Sequence, residues 1–173
     1  MTADDDDRRP AGERQVVFML MGAGYEPEFA AVTSAAVVAV TDDDRLVIAL
    51  LDRGPDIPGG HVEPDDASPE ETIRRETWEE VRVRLGPLTR IDVIQTNYNG
   101  PDDLTYMVIC AARVTEVAPW EAGFESAGRS FMEPADFLTQ YRGDIPVIMG
   151  TWVNSAIAAL RCGDPDGRTS TSG

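Results

Sequence analysis

Residues 74–80 read Arg74-Arg75-Glu76-Thr77-Trp78-Glu79-Glu80. Glu76, Glu79 and Glu80 stand at i, i+3 and i+4, positions that share one face of an α-helix. Three carboxylates on adjoining turns repel one another unless a cation sits among them. Mg²⁺ takes oxygen ligands, keeps several waters and is commonly completed by substrate phosphates. On another side of the same helix, Ile73, Thr77 and Val81 recur at a spacing of four, with Leu85 following, a stripe suited to packing on a sheet. The start of the helix is marked by Ser68-Pro69-Glu70-Glu71: a capping serine, a proline suited to the first turn, and a glutamate that completes a capping box. The pattern predicts a helix running to about Val83. Taken alone, a Glu-rich helix face is commonly just solvated, so the metal reading needs support from outside it.

That support lies upstream, in Pro58-Gly59-Gly60-His61-Val62-Glu63. Adjacent glycines let a backbone approach a ligand closely, and a carbonyl of this loop can complete a hard-cation site. Further out, Val32–Val40 and Arg45–Leu51 read as antiparallel strands around the turn Asp42-Asp43-Asp44, both apolar enough to be buried on two faces. Gly54-Pro55 and Pro58-Gly59-Gly60 mark an irregular loop. Arg90–Asn97 and Leu104–Val117 read as strands around a turn at 99–103, and Ser130–Glu133 as a short strand. Pro134–Tyr141 reads as a short helix. Ile145–Leu160 reads as a terminal one, with Ile148, Trp152, Ala156 and Leu160 at helical spacing. The expected fold is α/β, a mixed sheet between helices in an α/β/α sandwich, with one domain over 15–162. Polar, acidic residues 1–14 and the tail 163–173 are expected to be mobile arms.

The net charge of −16 argues against a nucleic-acid polymer as partner, since that needs a basic face. It permits a small phosphorylated substrate if a bound cation inverts the local field. All fifteen basic residues are arginine, which excludes a Schiff-base or P-loop lysine. The single histidine, His61, excludes a multi-histidine metal cage. Cys110 and Cys162 lack metal-ligand spacing and read as buried small hydrophobes. The acidic start has no signal-peptide pattern and no apolar run is long enough to span a bilayer, so no membrane association and a cytoplasmic location are expected.

The segment Gly60–Val83 resembles the Nudix box, Gly-x5-Glu-x7-Arg-Glu-U-x-Glu-Glu-x-Gly-U with U apolar. Arg75 to Val83 follows its second half, and Pro58 to Pro64 its opening loop. The register departs in three places. Counting back from Arg75 puts the first glutamate of the pattern on Ala67, and a one-residue insertion restores Gly60 and brings Asp66 to that position. Arg82 replaces the glycine that ends the box, and Thr77 replaces an apolar residue.

The resemblance implies that Glu76, Glu79 and Glu80 bind Mg²⁺ or Mn²⁺ with the Gly60 carbonyl, and that Glu76, Glu80 or a loop acid serves the attacking water. It implies that Arg75 holds Asp66 or a loop carbonyl rather than substrate. It points to Arg53 as a phosphate contact, Glu125 (over Glu121) as a further ligand or base, and Tyr98 as a base-stacking residue. Trp120 and Phe124 are alternatives for stacking, and His61 for a phosphate contact. For Arg53, Glu125 and Tyr98 the rival reading is a surface residue without a role. The implied activity is metal-dependent hydrolysis of the diphosphate linkage in a nucleoside diphosphate joined to another moiety. The alternative is a Nudix-fold nucleotide-binding or regulatory module without catalysis. A homodimer is a further implication.

Overall fold

The computed structural model describes residues 16–100 and 102–163; the expected arm 1–14, and the expected tail beyond Gly163, lie outside them. Strand β2 (Val32–Val40) sets the architecture. It runs parallel to β8 (Thr105–Val117) on one side, and on the other it meets β3 (Leu46–Leu51) antiparallel at Val40 and Leu46. Successive side chains on a strand point to opposite faces. Accordingly Ala35, Val37 and Ala39 enter one core, while Ala36, Val38 and Val40 enter another.

Each core is closed by helices. Helix α1 (Pro69–Val81) supplies Ile73 and Val81 to the first. Helix α2 (Pro134–Gln140) supplies Phe137 to the second, and α3 (Pro146–Cys162) supplies Met149, Trp152, Val153 and Ala156. Full burial of Ile73 and Val81 contributes roughly 1.5–3 kcal/mol each. This is the expected mixed sheet between helices. Its main path runs β1 (Phe18–Leu20), β7 (Thr89–Thr96), β8, β2, β3 and β4 (Gly54–Asp56). Strand β5 (Gly59–His61) pairs with β2, β6 (Val83–Leu85) with β8, and β9 (Gly128–Met132) with β3. No helix among the described residues is long and apolar enough to cross a membrane.

Three expectations need correction. The helix stops at Val81, not Val83, because Arg82 turns left-handed (φ 52°) and Val83 enters β6. The segment expected as an irregular loop holds β4 and β5. There β3 has left β2, and β5 takes up the free edge through the pairs Ala36–Gly59, Ala35–Gly60 and Ser34–His61. Cys110 is buried as expected but Cys162, at the end of α3, is exposed.

One buried acid ties the layers together. Asp92 Oδ1 accepts the backbone N–H of Gly22 (3.0 Å) and of Val93 (2.8 Å), and Oδ2 accepts Trp152 Nε1–H (2.9 Å). Asp92→Ala strands the buried Val93 and Trp152 donors, and the expected loss is about 3 kcal/mol, read as a lower urea midpoint at unchanged slope.

Candidate active site

The site begins with the two ends of α1. At its start, Ser68 Oγ accepts the Glu71 N–H (3.2 Å), and the Glu71 carboxylate accepts the Ala67 N–H (2.9 Å). At its end, the left-handed Arg82 closes the helix at a cost of roughly 1–2 kcal/mol for a residue with a Cβ. Arg129 Nη1 donates to the last carbonyls, Val81 O (2.8 Å) and Arg82 O (3.3 Å), and to Ala118 O (2.7 Å). Held at both ends, α1 turns Thr77 into the core and Glu76, Glu79 and Glu80 into a cavity of about 340 Å³.

Gly59 and Gly60 form the opposite wall. A Cβ on Gly59 would lie 2.5 Å from the Ala36 Cβ, and one on Gly60 would collide with the Glu76 carboxylate. The two bare residues are therefore what lets β5 lie against both β2 and α1. Glu80 is 5% exposed and its Oε2 accepts the Gly59 N–H at 3.0 Å. Burial pushes its carboxyl up to about 7, with the nearby Glu76 adding to the shift and the Gly59 bond opposing it. Burial also raises Glu76, against the pull of Arg75. Glu63, Phe124 and Glu125 line the cavity's remaining sides.

Arg75 joins this wall to the helix. Its Nε and Nη2 donate to the two oxygens of Asp66 (3.2 and 2.9 Å), Nη2 also to His61 O (2.9 Å), and Nη1 to Glu76 Oε1 (2.9 Å). Glu63 and Glu79 each lie 3.5 Å from Nη1. Asp66 also accepts the Thr72 hydroxyl (2.8 Å) and the Glu63 N–H (2.9 Å), and is held well below the usual carboxylate range, chiefly by Arg75. The guanidinium fork matches such a set of acceptors; a lysine has no equivalent.

The cavity's donors are hard oxygens, the kind that Mg²⁺ and Mn²⁺ take. Burial chiefly raises Glu76 and Glu80, neighbouring carboxylates add to the shift, and Arg75 opposes it at Glu76. As the side chains stand, no three His, Cys, Asp or Glu groups among the described residues converge as ligands: Glu76 is turned to Arg75 and Glu80 to Gly59. The residues fit a divalent cation in charge and chemistry.

The sequence model of the NUDIX domain matches residues 31–149. The chain belongs to the Nudix family. Comparison with curated protein sequences gives no match. Among solved structures, the chain is similar to a mutant of the Bacillus subtilis pyrophosphohydrolase BsRppH, with 17% identity, TM-score 0.63, and coverage of 85% of this chain and 91% of that one. It is similar to the NUDIX domain of Shewanella oneidensis NrtR complexed with ADP ribose (16%, TM-score 0.60, 78% and 95%). A C. elegans Ap4A hydrolase binary complex is a third (18%, TM-score 0.56, 75% and 98%). At these identities the likeness concerns the fold.

The three departures within the Nudix box have distinct places in space. Asp66, which the insertion brings to the first acidic position, is the residue Arg75 grips, and the His61 carbonyl is its second anchor. Arg82, at the box glycine, keeps a backbone angle that glycine adopts freely. Thr77, at the apolar position, is fully buried and returns its hydroxyl to Ile73 O (2.6 Å).

Of the residues singled out in the sequence, Gly60, Glu76, Glu79, Glu80 and Glu125 meet at one cavity. Arg53 does not line it. It sits 64% exposed near the turn into β4, donates to Asp56 (3.2 and 3.3 Å), and lines an adjoining hollow of about 260 Å³ that shares Gly59, Gly60 and His61 with the cavity. Tyr98 is 71% exposed and lines an apolar groove of about 350 Å³ on the α3 side of the sheet, whose one residue in common with the carboxylate cavity is His61. Glu121 turns away to Arg82 (3.6 Å). Trp78 packs under Arg84 and Arg82, 4.4 and 5.4 Å from its ring centre. Sequence reasoning missed Glu63, Asp56 and Arg129. Asp56 is raised by burial beside Arg53. The unusual Arg82 was the one signal for a special structure at the end of α1, and it did not indicate Arg129.

A carboxyl raised in the folded state contributes stability below its unfolded value and loses it as pH climbs through the folded value. Metal-free protein is thus expected to lose Glu80's contribution between about pH 4.5 and about pH 7. Glu80→Gln, which keeps an oxygen for the Gly59 N–H, is expected to stabilise metal-free protein at pH 8 by up to about 3 kcal/mol and to have little effect at pH 4. Urea unfolding in EDTA at the two pH values measures it. Arg75→Lys is expected to cost about 2 kcal/mol by the same assay, since several carboxylates and the His61 carbonyl lose their common donor.

Proposed function

We propose that the protein hydrolyses the diphosphate linkage of a nucleoside diphosphate joined to another moiety, using Mg²⁺ or Mn²⁺. The observation that carries this reading is the meeting of Glu76, Glu79 and Glu80 with the bare Gly59-Gly60 backbone in one cavity. Glu76, Glu79, Glu80 and the Gly60 carbonyl hold the cation, which supplies positive charge against which a diphosphate settles. Glu80, or Glu125 across the cavity, takes the proton of the attacking water. Arg53 contacts a phosphate over the shared Gly59–His61 edge, and the apolar groove by Tyr98 receives the base. BsRppH is a pyrophosphohydrolase, the C. elegans protein an Ap4A hydrolase, and the NrtR domain holds ADP ribose, which supports a substrate of this class.

The reading includes a cytoplasmic protein and a homodimer. The edge strand β1, where Phe18, Met19 and Leu20 are all exposed, supports the latter; light scattering in solution checks it.

The second reading, a nucleotide-binding module without turnover, is favoured by one feature: Arg75 already pairs with Glu76 and approaches Glu79. It predicts a nucleotide-induced rise in melting temperature with no product.

The test is a panel of nucleoside triphosphates, nucleotide sugars, ADP-ribose and dinucleoside polyphosphates with each metal. The expected product is a nucleoside monophosphate, lost in EDTA, with Glu79→Gln and Glu80→Gln each lowering kcat/KM by about 100-fold or more. Turnover indifferent to both substitutions sinks the mechanism.

A further inference from the structure

We propose that Arg82, standing in place of the box glycine, is a positioning residue that holds the 118–127 segment against α1, so that Phe124 and Glu125 close the carboxylate cavity. Three observations lead there. First, the backbone at Arg82 is left-handed, a conformation glycine takes without strain, so the arginine side chain has to be accounted for by what it touches. Second, that side chain is drawn inward. It is 12% exposed, and its Nε is buried without a hydrogen-bond partner. Third, its guanidinium lies between two rings and an acid: 5.4 Å from the Trp78 ring centre on α1, 5.1 Å from the Phe124 ring centre on the segment, and 3.6 Å from Glu121 Oε2. A cation between ring faces is held by their quadrupoles, and a planar guanidinium stacks as an ammonium does not.

The segment is also pinned near its ends. Ala118 N–H donates to Arg82 O (3.0 Å), Arg129 reaches Ala118 O (2.7 Å), and Ala127 N–H donates to Leu50 O (2.8 Å). Between those pins Gly123 adopts a φ of 140°, open to few residues other than glycine. Arg82 grips the stretch on both sides of that glycine, at Glu121 and at Phe124. Phe124 and its neighbour Glu125 line the cavity opposite Glu76 and Glu79. A side chain outside the cavity thus sets the position of one of its walls.

The consequence for turnover rests on the proposed hydrolysis; the placement of the segment does not, and the experiment keeps the two apart. Hydrogen–deuterium exchange of the full chain without metal compares wild type, Arg82→Gly and Arg82→Lys. Arg82→Gly is expected to raise exchange across 118–127 by about tenfold or more, with α1 and the sheet unchanged and the melting temperature equal or higher, since glycine relieves the backbone. Arg82→Lys is expected to fall between. Unchanged exchange in 118–127, or a rise spread over the whole chain, overturns the proposal. In the activity arm, the fold-loss in kcat caused by Glu125→Gln is measured in wild type and in Arg82→Gly. If Arg82 acts through the placement of Glu125, that loss shrinks toward onefold in the glycine background; an equal loss in both overturns the positioning role. Should wild type turn over no nucleotide, the hydrolysis reading fails while the exchange result still decides on Arg82.

Discussion

Arg75 is the point on which the site depends. Its donors run out to the Asp66 carboxylate, the His61 carbonyl and Glu76, and so tie the end of β5 and the loop that follows it to the middle of α1. A point charge can neutralise carboxylates, but a fixed planar fork also determines where they stand. Asp66 has the complementary part. With the Thr72 hydroxyl and the Glu63 N–H also on it, it stays ionised far into acid and keeps the fork aimed.

That arrangement balances an unfavourable burial of charge. Glu80 and Glu76 lose water beside a backbone wall made of two glycines, and burial raises both. Fully paired, such carboxylates would be inert; left alone, they would protonate or push the wall away. Here Arg75 serves the Glu76 side, and one Gly59 N–H serves Glu80. The carboxylates of Glu76, Glu79 and Glu80 lining the cavity are what a divalent cation would meet. The wall is thin because β5 has replaced β3 along β2, where Gly59 fits against Ala36 with no room for a side chain.

Much of this was legible along the chain because it is local. The i, i+3, i+4 spacing put the carboxylates on one face, the stripe Ile73, Thr77 and Val81 put the opposite face in the core, and Ser68 to Glu71 marked the cap; each holds in the structure. Apolar runs marked β2, β3, β7 and β8 to within a residue. What failed was local in appearance and non-local in cause. Gly54–Gly60 has the composition of a loop, yet it forms β4 and β5 because β3 and β2 offer it free edges. Helical spacing carried Leu85 along with Val81, yet the chain turns at Arg82 and Leu85 reaches the same core from a strand.

Residue order is enough to decide the identity and facing of the Glu76, Glu79 and Glu80 triad, because helix periodicity is a property of neighbouring residues. It is enough for the sandwich class, because the alternation of apolar runs and helix starts leaves few ways to bury them. How distant residues reach the cavity was decided only by folding. Glu63 meets α1 because the pairing of β5 with β2 carries it there, Glu125, to which the family resemblance pointed, arrives on a loop after β8, and Tyr98 lines a neighbouring groove that meets the cavity at His61. Arg82 illustrates the division. Its position in the chain announces a broken pattern, but only the packed rings of Trp78 and Phe124 and the acid of Glu121 say what the arginine does there. Contacts between segments far apart in sequence depend on three-dimensional closure, and a linear pattern carries no trace of it.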